Sequence, residues 1–141
     1  VISLKYHQYL LWHINVAVEI SIVFKLEKKA FEIAKQYNTI SDYEAAIRSF
    51  ENFVFEYPGS TLREDALFYR LDSAYKLAIN SVEYKNTLRN GLVHLKKERL
   101  ETAKEYSEAF KQAYSSSKHI EDVNEMSSEI NSELKSYSTK S

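Results

Sequence analysis

The residue types that most often hold metals or perform acid–base chemistry are sparse in this 141-residue sequence. Cysteine is absent, which excludes thiolate ligands, disulfides and a cysteine nucleophile. The histidines do not form the H-x-x-x-H or H-E-x-x-H patterns of zinc sites. They are His7, His13, His94 and His119. With two distant glycines, the sequence also lacks a glycine-rich phosphate loop. We therefore predict no metal site and no cofactor.

Carboxylates and serines are abundant, but each has a structural explanation. Glu64-Asp65 and Glu121-Asp122 fall in the first turns of predicted helices, where the helix dipole stabilises negative charge. Ser41, Ser60 and Ser117 precede predicted helices and are suited to capping. No nucleophile-elbow pattern supports a Ser–His–Asp arrangement. We predict that the chain is not an enzyme, and keep a helical-domain enzyme as a third hypothesis.

Residues 85–99 form the most basic stretch, ending in Lys96, Lys97 and Arg99. A solvated helix face explains such a stretch, and so does a docking patch for an acidic partner or for lipid headgroups. The formal net charge of the whole sequence is −1. This balance gives no electrostatic footprint for nucleic acid, so we predict no nucleic-acid partner.

The eleven tyrosines divide by their expected position. Four fall on helical packing stripes and are expected in the core: Tyr37, Tyr43, Tyr57 and Tyr114. Tyr69 and Tyr75 lie on a helix that would line a concave surface, and tyrosine is favoured at protein interfaces. Together with Arg70 and Lys76 they form our candidate partner-binding groove.

The elements that carry these residues are predicted to be helices. Two glycines and one proline are too few for a sheet protein of this length. Apolar residues recur at helical spacing over residues 26–37 and beyond. Two patterns predict capping boxes: S-x-x-E beginning at Ser41 and T-x-x-E beginning at Thr61. Between them, Pro58-Gly59 predicts the end of a helix.

The most apolar stretch, residues 10–24, is shorter than the roughly 20 residues that span a bilayer. It contains His13, Asn15 and Glu19, and it lacks the basic start and cleavage site of a signal peptide. We predict a buried or interfacial helix here, and no transmembrane helix.

The sequence repeats itself at an interval of 57 residues. Ala46 aligns with Ala103, Phe53 with Phe110, and Tyr57 with Tyr114. The two alanines are predicted to lie where paired helices cross closely. The surplus over a 34-residue repeat falls between positions 80 and 99, where Asn90-Gly91 predicts a turn.

The first repeat unit resembles a tetratricopeptide repeat. The matching positions are Ala34, Tyr37, Ala46, Phe50 and Pro58. This resemblance implies an all-α fold of stacked helical hairpins, an α-solenoid. We expect a helical segment at residues 1–25 and hairpins at 26–115 with an insertion near 80–99. A helix with a frayed tail beyond Lys135 is expected at 116–141.

Three longer stretches resemble the C-terminal repeats of the BamD/YfiO family of outer-membrane assembly lipoproteins. They read DYEAAIRSFENFVFEYPGS, REDALFYRLDSAYKLAINSVEYK and KERLETAKEYSEAF, and the similarity covers about residues 26–126. The resemblance implies a scaffold on the periplasmic side of the outer membrane that binds the BamA-type barrel-inserting component. It also implies membrane association through a lipid anchor outside this stretch. The alternative is a generic tetratricopeptide adaptor that binds a peptide in its concave groove.

Overall fold

A computed structural model describes residues 2–81 and 95–138 of the chain. This described part contains five helices and no strand, which confirms the predicted all-α class. The helices are α1 (Ile2–Thr39), α2 (Tyr43–Glu56), α3 (Arg63–Ile79), α4 (Leu95–Ala113) and α5 (Ile120–Ser138). Each helix packs against the next along the chain, and α3 also contacts both α1 and α5. Helix α3 therefore lies at the centre of the assembly.

The turn between α1 and α2 differs from the predicted capping box. Ser41 adopts a left-handed conformation with φ 65°, and its backbone N–H donates to the carbonyl of Asn38. The N–H of Asp42 donates to the carbonyl of Tyr37, completing a Schellman ending for α1. Ser41 is thus occupied in ending α1, so Asp42 becomes the N-cap of α2 and accepts from the N–H of Ala45 at 3.2 Å. The prediction of Ser41 as the cap was wrong by one residue.

The second predicted capping box is also wrong. Helix α2 ends at Glu56, before Pro58-Gly59 as expected, but Thr61 does not cap α3. Instead the hydroxyl of Ser60 accepts a hydrogen bond from the N–H of Leu62 at 2.9 Å and donates one to Glu27 of α1. The predicted capping partner Glu64 accepts from Ser117 at 2.5 Å, which ties α3 to the distant α4–α5 loop.

The loop between α4 and α5 has the same construction as the loop between α2 and α3. Ser117 takes the place of Ser60, since its hydroxyl accepts from the N–H of His119 at 3.0 Å and donates to a glutamate of an earlier helix. The hydrogen bond from Tyr57 N–H to the Phe53 carbonyl recurs between Tyr114 and Phe110. Both loops therefore share one hydrogen-bonding scheme at the interval of 57 residues seen in the sequence.

Ala46 and Ala103 are both fully buried, as the repeat alignment predicted. Three apolar clusters form the core along the stack, and the largest fully buried side chains are Phe50, Phe53, Leu71, Leu100, Val123 and Ile130. Phe31 packs edge-to-face on Phe53, with ring centroids 5.7 Å apart. Two helices later, the rings of Phe68 and Phe110 pair in a similar geometry at 6.4 Å.

Helix α1 runs without a break through position 25, where the sequence predicted a separate segment. Its C-terminal part packs on α2 and α3 from Ala30 onward, while the large apolar residues of its N-terminal part are exposed. Of the predicted alternatives for residues 10–24, a buried or an interfacial helix, the buried one is therefore wrong within this chain. At the other end α5 continues to Ser138, beyond the predicted fraying point at Lys135.

Candidate partner-binding surface

A groove of about 260 Å³ lies between α3 and α5 and contains one of the predicted site residues, Tyr75. Its lining combines four carboxylates with apolar and aromatic side chains. These are Phe68, Asp72, Tyr75, Asp122, Glu125, Met126 and Glu129. Phe68 and Met126 are buried at its base, and Asp122 and Glu125 are exposed at its rim. The groove therefore offers apolar contact together with negative charge.

Tyr75 connects the two walls of this groove. Its hydroxyl donates to Glu129 of α5 at 2.5 Å. Burial, and then the hydrogen bond and negative charge of Glu129, raise the pKa of Tyr75 to about 12. At neutral pH the phenol therefore keeps its proton and holds α3 against α5.

Tyr69 is half-buried and packs against the core, and it does not line the groove between α3 and α5. Its ring stacks on Phe50 with centroids 5.9 Å apart and an interplanar angle of 13°. It also meets Phe31 and Phe68 edge-to-face. The Lys35 ammonium lies 5.2 Å from the Tyr69 ring centroid, on the α1 side. Tyr69 therefore joins α1, α2 and α3, and its predicted role as a groove residue is not supported by its placement.

Arg70 contacts Tyr106 of α4. Its guanidinium carbon lies 3.9 Å from the ring centroid of Tyr106, and its buried Nε has no hydrogen-bond partner. Tyr106 donates to Glu51 of α2 at 2.7 Å. Burial and Glu51 raise the pKa of Tyr106 to about 12. Arg70 thus contacts a polar seam between α2 and α4, whereas Tyr75 contacts α5.

The other four predicted basic residues each pair with a carboxylate. Lys76 contacts Asp72 at 2.6 Å, one turn away on α3, and Lys97 lies 3.8 Å from Glu101. Lys96 reaches Glu133 of α5 at 3.1 Å. Arg99 donates to Glu44 of α2 at 2.8 Å and to Ser81 at 2.7 Å. The last two pairs join different helices, so a structural role accounts for part of the basic stretch.

The remainder of that stretch lies outside the described residues. This applies to Lys85 and Arg89, to His94, to the predicted turn at Asn90-Gly91 and to most of the predicted insertion. The docking patch therefore stays a prediction. Of its residues, the structure describes Lys96, Lys97 and Arg99.

A charged cluster that the sequence did not predict joins α3 to the start of α5. Asp65 accepts from Lys118 and from the Nε2 of His119, which lies 2.7 Å from its carboxylate. The His119 ring stacks on Phe68 at 3.9 Å. Burial would raise the pKa of Asp65, but the hydrogen bonds of Lys118 and His119 outweigh it and hold that pKa below its usual value. The sequence analysis identified Glu64-Asp65 in the first turn of α3. It did not identify the partners of Asp65, which lie 53 and 54 residues further along the chain.

An open depression of about 560 Å³ borders this cluster, between the α2–α3 and α4–α5 loops. Its charged side chains already pair with one another, since Glu64 binds Ser117 and Asp65 binds Lys118. No group of three or more metal-ligating side chains occurs among the residues that the structure describes. The charged groups here thus have structural partners.

One helix of the described part is long and apolar enough to cross a membrane, judged by length and composition. It covers Ser3–Thr39, and none of its apolar window is buried. The prediction of no transmembrane helix rested on residues 10–24 alone. The helix extends beyond this stretch in both directions.

No protein-family model matches this sequence, and no curated protein is significantly similar to it. The tetratricopeptide and BamD/YfiO resemblances thus rest on the residues that carry them. What the chain does has to be argued from its helices and surfaces.

Proposed function

We propose that this chain is a non-enzymatic helical repeat scaffold that binds partner proteins. The observation that carries the proposal is the recurrence of one helix–loop–helix unit. Helices α2 and α4 end at Glu56 and Ala113, and helices α3 and α5 begin at Arg63 and Ile120, in both cases 57 residues apart. Stacked repeats bury a continuous core and leave an extended surface free for binding.

The tetratricopeptide assignment is the finer part of the proposal. Phe31 and Phe68 make equivalent edge-to-face contacts and are 37 positions apart, close to the roughly 34 residues of a tetratricopeptide repeat. The interval from α2 to α4 is longer than one such repeat, and the extra residues lie in the connection between α3 and α4. We therefore interpret α1–α2 and α3–α4 as hairpins and α5 as the first helix of a further unit, in an α-solenoid.

We further propose that the scaffold acts in outer-membrane β-barrel assembly, on the periplasmic side, with a BamA-type component as partner. This proposal rests on the resemblance to the BamD/YfiO family over residues 26–126. The alternative is a generic adaptor that takes up a peptide in a groove. The groove between α3 and α5 favours a segment with basic and apolar side chains, because carboxylates surround Phe68, Tyr75 and Met126.

The contact surface is best tested with residues whose replacement leaves the helix contacts intact. Reversing the charge of Lys96 or Arg99 would place a carboxylate beside Glu133 or Glu44. Such variants confuse loss of binding with loss of stability. Asp122 and Glu125 are exposed at the rim of the groove, so the Asp122→Lys/Glu125→Lys double variant cancels the charge of its four carboxylates. Asp122 lies in the first turn of α5, so the cost to folding should be about 1 kcal/mol, which urea unfolding of the variant measures.

The experiment is affinity capture from a native cell envelope with the wild type and two variants. The control is Glu105→Lys, an equally exposed change on α4 outside the groove. We expect wild type and control to recover a barrel-assembly component and the double variant to lose it. Recovery of no such component by any form would remove the envelope-assembly proposal and leave the adaptor. Equal recovery by all three would move the contact away from the groove, toward Lys97 and the basic stretch.

A further inference from the structure

The N-terminal part of α1 presents apolar side chains that nothing in the described structure covers. Trp12 is 60% exposed, and the neighbouring large apolar residues are similarly accessible. They are Tyr9, Leu10, Leu11, Ile14, Val18, Ile20, Ile22, Val23 and Phe24. Contact with the rest of the chain begins only at Glu27, which binds Ser60, and at Ala30. Residues 6–24 thus form an arm that projects from the helical stack.

The arrangement of these side chains indicates which environment suits the arm. Successive residues of a helix point about 100° apart, so the run Leu10, Leu11 and Trp12 covers different faces. A helix that docks on one protein partner keeps an apolar stripe and a broad polar face, whereas an all-round apolar helix suits a protein interior or a bilayer. Two of the polar side chains in the middle, Asn15 and Glu19, fall on one narrow stripe, while His13 lies on another face with its ring against Tyr9 and Trp12.

The length and flanks of the arm match a bilayer. At a rise of about 1.5 Å per residue, residues 6–24 extend about 28 Å, close to the roughly 30 Å of a hydrocarbon core. Lys5 precedes the arm and Lys25, Lys28 and Lys29 follow it, and between the two groups Glu19 is the single charged residue. Lysines at both ends can reach the headgroups of a bilayer.

We propose that residues 6–24 of α1 span a lipid bilayer and hold the helical stack at a membrane surface. The inference does not depend on the identity of the protein partner. It places a membrane anchor within this stretch, independent of the expected lipid anchor outside it. The cost of the single internal charge, Glu19, is offset by the apolar residues around it.

Partition into phosphatidylcholine vesicles tests the proposal. The purified full-length protein is reconstituted from detergent and followed by flotation and by the fluorescence of Trp12, the only tryptophan. Trp12 lies three residues from the middle of the arm, so in a spanning helix it sits about 5 Å from the bilayer centre. We expect flotation with the vesicles and the strongest quenching by lipids brominated deep in their acyl chains.

Three single substitutions give the test its controls. Val18→Lys should lower the partition coefficient by about 100-fold, because a lysine near the centre of a span is costly, and Glu19→Leu should raise it by a similar factor. Phe55→Lys introduces the same charge at an exposed apolar residue of α2 and should leave partition unchanged. Circular dichroism establishes that all forms remain helical.

Several results would overturn the proposal. Wild-type protein that stays with the aqueous fraction, or that forms a dimer through this arm without binding vesicles, would assign the apolar surface to a protein partner. Equal partition of Val18→Lys and Phe55→Lys would show that the arm is not in the bilayer. If only labels near the lipid headgroups quench Trp12, the arm lies along the membrane interface and does not span the bilayer.

Discussion

Asp65 illustrates, at the scale of single residues, how the ends of helices are joined. It lies in the first turn of α3 and accepts hydrogen bonds from Lys118 and His119 at the start of α5. Its pKa is lowered from the ordinary value, because these bonds outweigh the effect of burial. Pairing therefore stabilises the fold only while the carboxylate is ionised.

We expect Asp65→Asn to cost about 1 kcal/mol at pH 7, the net value of a typical hydrogen bond. A group with a lowered folded pKa contributes fully above its unfolded pKa of about 3.9 and loses that contribution as the pH falls through the folded value. The gap between wild type and Asp65→Asn should thus shrink as the pH falls below about 4. Urea unfolding across this pH range measures it.

Asp122→Asn is the matched control for Asp65→Asn, since Asp122 is also an acidic residue in the first turn of a helix but is exposed. Its effect should be within about 0.5 kcal/mol at every pH. If Asp65→Asn behaves like Asp122→Asn, the cluster with Lys118 and His119 contributes nothing to folding.

Ala46 tests the packing of the helices. It is fully buried in α2 within the cluster that contains Phe31 and Phe50, so a larger side chain meets a filled space. We expect Ala46→Leu to lower the free energy of unfolding by about 1–3 kcal/mol. Ala109→Leu, at an exposed position of α4, should be close to neutral. Thermal unfolding compares them, and equal melting temperatures would contradict the burial of Ala46.

At the scale of elements, the equivalence of the two loops makes a paired prediction. The hydroxyls of Ser60 and Ser117 each accept a backbone N–H and donate to a glutamate of an earlier helix. Ser60→Ala and Ser117→Ala should therefore each cost about 1 kcal/mol. Ser128→Ala, at an exposed position within α5, should cost nothing, because alanine is the better helix former. A loss at only one of the two loops would argue against their equivalence.

The helices and their repetition could be predicted from local and periodic sequence patterns, whereas the contacts that connect one helix to another could not. The 57-residue alignment correctly placed Ala46 and Ala103 in the core because burial follows the apolar period. The two capping boxes were wrong because Ser41 ends α1 and Glu64 binds Ser117 of a distant loop, whereas the predicted capping serines Ser60 and Ser117 do accept backbone N–H groups. For the same reason sequence proximity grouped Tyr69, Arg70 and Tyr75, although each faces a different neighbour.

At the scale of the whole molecule, the proposed membrane arm and the proposed periplasmic location together constrain the topology of the chain. Lys25, Lys28, Lys29 and Lys35 follow the arm, and such lysines favour the cytoplasmic side of a span. A periplasmic stack must overcome this preference. The proposals can therefore be separated by finding the side on which the stack lies.

The absence of cysteine makes that measurement direct. A Ser128→Cys variant carries one exposed thiol on α5. The proposed location predicts that a membrane-impermeant maleimide labels it in cells whose outer membrane has been permeabilised and whose inner membrane is intact. Labelling only after lysis, with the protein in the membrane fraction, would contradict the periplasmic location and leave the membrane arm in place.

The central claim, that the repeat surface binds a partner protein, is tested most directly by photo-crosslinking in cells. A photo-reactive residue replaces Glu125 at the rim of the α3–α5 groove and, as the control, Glu105 on α4. The account predicts that position 125 forms one dominant adduct with a barrel-assembly protein and that position 105 does not. No adduct at position 125, or the same adducts at both positions, would contradict it.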